Sequence, residues 1–259
     1  MHINGLPREI LEDIFWLGDC LIQRYQGKTY HSYNSSYLVV GNNEALLVET
    51  GHPKDFNVLH EQMTKILCKK QVPLKYIFTT HQETPHAGGI ARFLNLYPDV
   101  KVFGDISDYH MAFPMFRDNF KSMEIGDKID LGNMQFIAAE PVVRDIRTSL
   151  WAYIYPHQIL FPGDGFAYSH YHWDGHCGKT AEEAGSLDLS EVTSVFAELA
   201  LFWTNFVDMN IYSKRLTKLI KDLNIKCIAP THGLPIMNID KTMPKVIEGL
   251  HGPYNKIAS

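Results

Sequence analysis

One stretch constrains this chain more than any other: Thr79-Thr80-His81-Gln82-Glu83-Thr84-Pro85-His86-Ala87-Gly88-Gly89. It follows an apolar run from Leu74 to Phe78, which reads as a buried strand opening into a loop. Three residues able to ligate a metal, His81, Glu83 and His86, then fall close together ahead of a double glycine and a helical pattern. Side chains so spaced on a loop leaving a sheet edge can converge on one point. Imidazoles and a carboxylate suit iron, zinc or manganese. Two histidines and a glutamate on a polar loop are equally compatible with simple solvation, so the rest of the chain has to decide.

A length of 259 residues suits one large domain or two modest ones. Apolar content of 45% and charged content of 20% are ordinary for a soluble globular protein. The net charge of −5, with no basic block, argues against nucleic acid and anionic membrane as partners. The start, Met1-His2-Ile3-Asn4-Gly5-Leu6-Pro7-Arg8, lacks the charged opening and continuous apolar core of a signal peptide. No stretch approaches the roughly 20 uninterrupted apolar residues of a membrane span. The cysteines, Cys20, Cys68, Cys177 and Cys227, are widely scattered. That argues against a disulfide framework and against a CxxC zinc site, and suits a reducing cytoplasm.

Taken in order, Ile10 to Ile22 reads as two short strands broken at Gly18-Asp19. Tyr37–Val40 and Ala45–Val48 flank Gly41-Asn42-Asn43-Glu44 as a hairpin. Asp55 to Lys70 places Phe56, Val58, Leu59, Met63, Ile66 and Leu67 at helical spacing. A helix from about Gly89 to Leu96 is stopped at Tyr97-Pro98. Val100–Phe103 reads as a strand, and Asp105–His110 as the start of another helix. From Ile125 the pattern is β again: Gly126–Gly132 as turn, strand and turn, Met134–Ala139, then a hairpin of Ser149–Tyr155 and Gln158–Phe161. The stretch Tyr168–Gly185 is loop-like and carries His170, His172 and His176. Val192–Asn205 and Ile211–Leu223 read as helices, Lys226–Ala229 as a last strand, and Lys241–Leu250 as a closing helix. One β-rich half with its own helices followed by a second predicts an α+β fold layered helix, sheet, sheet, helix.

Three separate strand ends carry ligand-type residues beside turn glycines: His81, Glu83 and His86; Asp164; and His232. A strand end fixes the backbone while the loop frees the side chain, the usual architecture of a site. Together with the Gly-Asp-x-x-Asp-Leu-Gly turn, Phe161-Pro162-Gly163-Asp164 and Ala229-Pro230-Thr231-His232-Gly233, the opening stretch resembles the metallo-β-lactamase fold. Glu83 narrows the likeness, because hydrolases of that fold usually have a histidine there. The oxygen-handling diiron branch has glutamate: the flavodiiron proteins and their stand-alone relatives. The segment from Leu201-Phe202-Trp203-Thr204-Asn205 to His232-Gly233 is also similar to that branch. The resemblance implies one metallo-β-lactamase-like domain over residues 1–259, a four-layer αβ/βα sandwich, with no flavodoxin domain after His232-Gly233.

The branch pattern is His-x-Glu-x-Asp-His, a later histidine, a bridging aspartate and a final histidine. By that resemblance His81, Glu83, His86, Asp164 and His232 are metal ligands. Two positions depart: Pro85 stands where an aspartate is expected, and Arg144 stands at the later histidine. A proline ring ligates nothing, and a guanidinium repels a cation. One metal position then keeps His81, Glu83 and Asp164. The other keeps His86, His232 and Asp164, a two-His-one-carboxylate set sufficient for a ferrous centre. Arg144 either clamps a carboxylate, phosphate or carbonate beside the metal or fills a vacated position by pairing with Glu83 or Asp164. His170 is the candidate for a replacement ligand or proton-transfer group. His172, His176 and Cys177 read as structural, and His52 as a residue near the ligands.

The resemblance implies a non-haem iron protein that binds or reacts with oxygen, with one or two iron ions and an external electron donor. It also implies a homodimer, with zinc or manganese as alternative ions. The competing readings are a metal-dependent hydrolase of an ester, thioester or lactam, and a metal-poor protein that uses the fold for binding.

Overall fold

The computed structural model describes residues 5–165 and 171–258. Its first sheet takes up β1 (Arg8–Leu11), β2 (Ile14–Leu17), β5 (Ser36–Val40), β6 (Ala45–Val48), β7 (Leu74–Phe78), β8 (Lys101–Gly104) and β9 (Phe120–Ser122), in that spatial order. A separate hairpin pairs β3 (Cys20–Tyr25) with β4 (Lys28–Tyr33). The second sheet runs β10 (Lys128–Asp130), β11 (Gln135–Ala139), β12 (Trp151–Tyr155), β13 (Ile159–Phe161) and β14 (Cys227–Ile228).

Each sheet changes character partway across. In the first, β1, β2, β5 and β6 are antiparallel neighbours, whereas β6, β7, β8 and β9 run parallel. In the second, β14 lies parallel to β13. Parallel neighbours need crossover connections. The long α1 (Phe56–Lys70) makes the first, and α2 (Thr84–Ala87) with α3 (Ile90–Leu96) the next. A short α4 (Tyr109–Ala112) precedes β9; α5 (Leu189–Leu199) and α6 (Asn210–Asp222) lie between β13 and β14; and α7 (Ile239–Ala258) closes the chain.

Burial explains why the inner strands read as continuous apolar runs. Along β5 and β6, Leu38, Val40, Ala45 and Leu47 join a core with Phe56, Leu59, Met63 and Phe93 from the helices outside the first sheet. Their alternates, Tyr37, Val39, Leu46 and Val48, face the other way, into a core with Phe136, Trp151, Ile154 and Phe161 of the second sheet. That core continues outward to Phe196, Leu216, Val246 and Leu250 of α5, α6 and α7. Both faces of each sheet are covered, so alternation of polarity disappears while alternation of direction remains. The expected helix, sheet, sheet, helix layering is observed.

Three local expectations are corrected. Ile10–Ile22 contributes to three strands, β1, β2 and β3, because the chain also turns at Glu12-Asp13, where Asp13 has φ 60°. Strand β4 was not anticipated. Its residues Tyr30, His31, Ser32 and Tyr33 are all buried and mix aromatic with polar side chains, which leaves no apolar alternation to detect. The helix expected over Val192–Asn205 begins earlier, where the Asp188 carboxylate accepts from the Ser190 and Glu191 amides, and ends at Leu199 before a 3-10 turn over Phe202–Phe206.

Gly163 fixes how closely the two sheets meet beside Asp164. It has φ +56°, and a Cβ there would sit 2.3 Å from the Thr80 hydroxyl oxygen. Gly163→Ala is expected to destabilise the protein by about 2–4 kcal/mol, combining left-handed strain with a clash that neither strand end can relieve. Thermal denaturation checks this, and an unchanged melting temperature would refute it.

Candidate metal centre

All five sequence-predicted ligands sit at carboxyl ends of strands, where open sheets with parallel strands place ligands. His81, Glu83 and His86 follow β7, Asp164 follows β13, and His232 follows β14. Three of them are held in depth: His81 is 2% exposed, His86 is 0% and Asp164 is 5%. His86 Nε2 lies 3.2 Å from Asp164 Oδ1, and His232 Nε2 lies 3.3 Å from the same oxygen. The His81 and His86 rings pack with centroids 3.8 Å apart.

Each imidazole is oriented from behind. His232 Nδ1 lies 2.6 Å from the Tyr33 carbonyl oxygen, which can only accept, so that nitrogen carries a hydrogen and Nε2 is turned toward Asp164. His86 Nδ1 lies 3.1 Å from Glu49 Oε1, and His81 Nδ1 lies 3.1 Å from the Thr80 hydroxyl. Glu49 directly follows β6 and is 1% exposed with φ 62°. Its carboxylate also accepts from the Thr80 amide at 3.2 Å and from the Thr80 hydroxyl. The sequence reading missed Glu49, although a buried acid next to a Thr-Gly turn at a strand end was a usable signal.

A second missed residue changes the ligand arithmetic. The Asp145 carboxylate approaches His81 Nε2 to 3.7 Å, and ligand atoms of His81, Glu83, Asp145 and Asp164 all lie within 4.8 Å of one another. Arg144, the neighbour of Asp145 and the residue expected at this position, donates from Nε to the Pro141 carbonyl at 3.3 Å and lines a cavity of about 450 Å³ with Asp145, Arg147, Trp203 and Arg215. The Trp203 indole donates to the Arg144 carbonyl at 3.0 Å and ties this loop to the 3-10 turn. The first metal position therefore has four candidate donors, three of them acidic. At the second, His86 and His232 each approach Asp164 Oδ1, while the mutual 4.8 Å grouping there is of His81, His86 and Asp164; Pro85 adds none.

His170 lies outside the described residues. His172 is brought not to this cluster but to the β3–β4 hairpin, with a backbone bridge to His31. His52 lines the mouth of a cavity of about 350 Å³ together with Lys54, Glu83, Pro85, Tyr171 and His232. Arg147 stands at the surface, 3.8 Å from Asp108.

The electrostatics are those of a cation site. Burial, then the nearby His86, holds His81 well below the ordinary imidazole range. Burial works against a charged His86 too, but Asp164 and Glu49 outweigh it and raise that group to about 10. Burial also opposes ionisation of Asp164, yet His232 and His86 hold it well below the carboxylate range. Asp145 is raised to about 7 by burial and then by Asp164 and Glu83. Acidic groups crowded at this depth repel one another until a positive charge separates them.

Whether these residues fit a metal can be tested on the buried nitrogens. The His81 and His86 Nε2 atoms are buried without a hydrogen-bond partner, and the 3.2 Å approach of His86 to Asp164 lacks hydrogen-bond alignment. Buried imidazole nitrogens that face carboxylates in a desolvated pocket, without an aligned hydrogen bond, are a donor set that fits a metal ion.

A helix-flanked pair of sheets with histidines and carboxylates converging from β7, β13 and β14 is the metallo-β-lactamase arrangement. A family model described as "ODP family beta lactamase" matches residues 33–233. The chain belongs to that family. A nitric oxide reductase from Moorella thermoacetica is 25% identical over 244 residues, covering 88% of this chain and 57% of that protein. Among solved structures, the flavodiiron protein from Giardia intestinalis superposes with TM-score 0.74 at 15% identity, covering 96% of this chain and 59% of that one. The rubredoxin oxygen:oxidoreductase from Desulfovibrio gigas gives 0.69 at 16% identity, covering 94% and 60%. The structural likenesses establish the fold. The chain spans less than two thirds of the length of these proteins.

Proposed function

We propose that this chain is a non-haem iron protein that binds or reduces a small diatomic molecule, dioxygen or nitric oxide. The observation that carries the reading is the Glu83-containing donor set of the first position, completed by Asp145. Three carboxylates and one imidazole favour a hard, redox-active cation over the histidine-rich donor set of a zinc hydroxide hydrolase. The names of the related nitric oxide reductase and oxygen oxidoreductase support the same choice.

In this reading His81, Glu83, Asp145 and Asp164 hold one ion, while His86, His232 and Asp164 hold a second. Bound iron would supply reversible one-electron chemistry and open positions for the diatomic ligand. The chain's own residues orient and insulate. Glu49, Thr80 and the Tyr33 carbonyl fix the three imidazoles, and Tyr171 and Phe196 wall the cavity above Asp164 and His232. Burial, then Asp164, raises the Tyr171 phenol to about 12, so it stands at the cavity as a neutral hydrogen donor. Electrons come from an external donor protein. A cytoplasmic homodimer completes the proposal, supported by four free thiols and by the resemblance to the diiron branch. Among the described residues no helix is long and apolar enough to cross a membrane.

Anaerobic loading with ferrous iron followed by air or nitric oxide tests the proposal. New near-ultraviolet or visible absorption is the expected result. A silent spectrum at full iron occupancy would sink it, and zinc-dependent ester or thioester turnover lost in Asp164→Ala would replace it with hydrolysis.

A further inference from the structure

A second cluster of ligand-type side chains lies outside the centre described above. Cys20 begins β3, and His31 lies in β4. The register pairs Cys20 with Tyr33 and Ile22 with His31, so Cys20 and His31 are diagonal neighbours on one face of the hairpin. His172 then extends the same face. It pairs with His31 as an isolated antiparallel bridge, each amide donating to the other's carbonyl at 2.8 Å. The fourth member, Cys177, is delivered by the turns that follow. They are held in place by the Gly178 amide donating to the Tyr33 hydroxyl at 2.7 Å and by Arg8 donating to the Gly178 carbonyl at 2.7 Å.

The four side chains meet at ligand distances. Cys20 Sγ and Cys177 Sγ are 3.5 Å apart, and His31 Nδ1 lies 3.3 Å from the first and 3.5 Å from the second. Cys177 Sγ lies 3.6 Å from His172 Nε2, and one ligand atom from each of the four residues falls within 4.8 Å of the others. A tetrahedron with zinc–sulfur bonds of about 2.3 Å and zinc–nitrogen bonds of about 2.0–2.1 Å has edges of roughly 3.3–3.8 Å. The four separations given lie in that range, and the other two edges are within 4.8 Å.

We infer that Cys20, His31, His172 and Cys177 form a second metal site, a closed Cys2His2 site that takes a zinc ion and clamps the segment after Asp164 to the β3–β4 hairpin.

Ordinary core packing does not account for the cluster. His31 is 4% exposed and His172 is 0%. The Nδ1 atom of His172 is buried without a hydrogen-bond partner, so the ring is not there to complete a polar network. Both thiols are free, so no disulfide explains why they meet. The site contains no carboxylate and no open position, which marks it as structural and thiophilic, unlike the oxygen-rich centre at Asp164. Filling the site releases thiol protons to solvent, so zinc affinity falls as pH falls.

The clamp has a defined target. Tyr33, two residues beyond His31, stacks on His172 with centroids 5.3 Å apart, and its carbonyl oxygen orients His232. Ser32, between them, donates to the His232 carbonyl at 2.7 Å. A metal at the cysteines therefore stiffens the strand that aims one ligand of the other centre.

The test uses the full chain purified with reductant, elemental analysis, and zinc-edge X-ray absorption. About one zinc per chain in a shell of two sulfurs and two nitrogens is expected. Cobalt replacement should give intense thiolate-to-metal absorption of a tetrahedral site. Cys177→Ser should lower zinc affinity by more than the roughly 100-fold that loss of an outer-sphere partner costs, while iron loading at Asp164 persists. Conversely, Asp164→Ala should retain the zinc, which separates failure of this site from failure of the iron reading. If Cys177→Ser does not fold, the absorption edge and cobalt spectrum of the unaltered chain still decide. A shell without sulfur, no thiolate band, or a Cys20–Cys177 disulfide that persists in chain purified with reductant would overturn the inference.

Discussion

Asp164→Ala is expected to abolish iron binding at both positions and, with it, the whole of the iron-dependent rise in melting temperature. Asp164 is the residue common to the two donor sets, and it is 5% exposed between His86 and His232. A ligand present at about a thousandfold over its dissociation constant stabilises a folded protein by roughly 4 kcal/mol, so that is the size of the loss in iron-containing buffer. The metal-free variant also weakens, because the two imidazoles lose their counter-charge. That loss stays below the roughly 3–5 kcal/mol of a broken buried ion pair, since a histidine can shed its proton. Iron stoichiometry with paired thermal melts checks both parts. Retention of two irons by the variant would mean that the ions sit elsewhere.

Asp145→Asn should act in opposite directions on the metal-free and iron-loaded protein. In the metal-free fold the Asp145 carboxyl is raised to about 7, by burial first and then by Asp164 and Glu83. Between the ordinary carboxylate range and that value the folded chain holds a proton that the unfolded chain has released. Stability therefore falls as pH rises across this window. The amide removes that cost. Above pH 7 the metal-free variant should be more stable than the parent by about 1–2 kcal/mol, after discounting the full linkage value for partial solvent screening. The advantage should vanish near pH 4. With iron present the order reverses, because the first position loses one of its four donors. Melts stepped through pH, with and without iron, read the sign change, and a variant less stable than its parent under both conditions would refute the assignment.

Legibility in the sequence followed physical locality. The loop after β7 announced itself because His81, Glu83 and His86 are neighbours in sequence and in space, and Gly163-Asp164 and Thr231-His232-Gly233 carry their own turn chemistry. The two-sheet layering was readable from apolar runs whose lengths separate strands from helices. The approach of Asp145 to His81 was not, because it joins residues 64 positions apart on a loop whose contacts, such as that of Trp203 with the Arg144 carbonyl, are tertiary. Strand β4 escaped for a related reason. Its buried residues include His31 and Tyr33, whose partners His172, Cys177 and Cys20 are brought together only by tertiary structure. For the same reason the scattered thiols, read as excluding a CxxC site, converge on a different constellation.

Glu49 is subject to two demands that oppose one another. Its left-handed backbone favours glycine or asparagine and costs a larger residue about 1–2 kcal/mol, while its place behind His86 and Thr80 demands a carboxylate. Glycine would relax the chain and leave His86 without its anionic support; glutamine would keep the length and remove the charge. Aspartate alone meets both requirements in kind, though it is one methylene short of the same reach. The position thus has almost no neutral exits, and homologous chains that have lost the metal should be recognisable by what replaces the acid there.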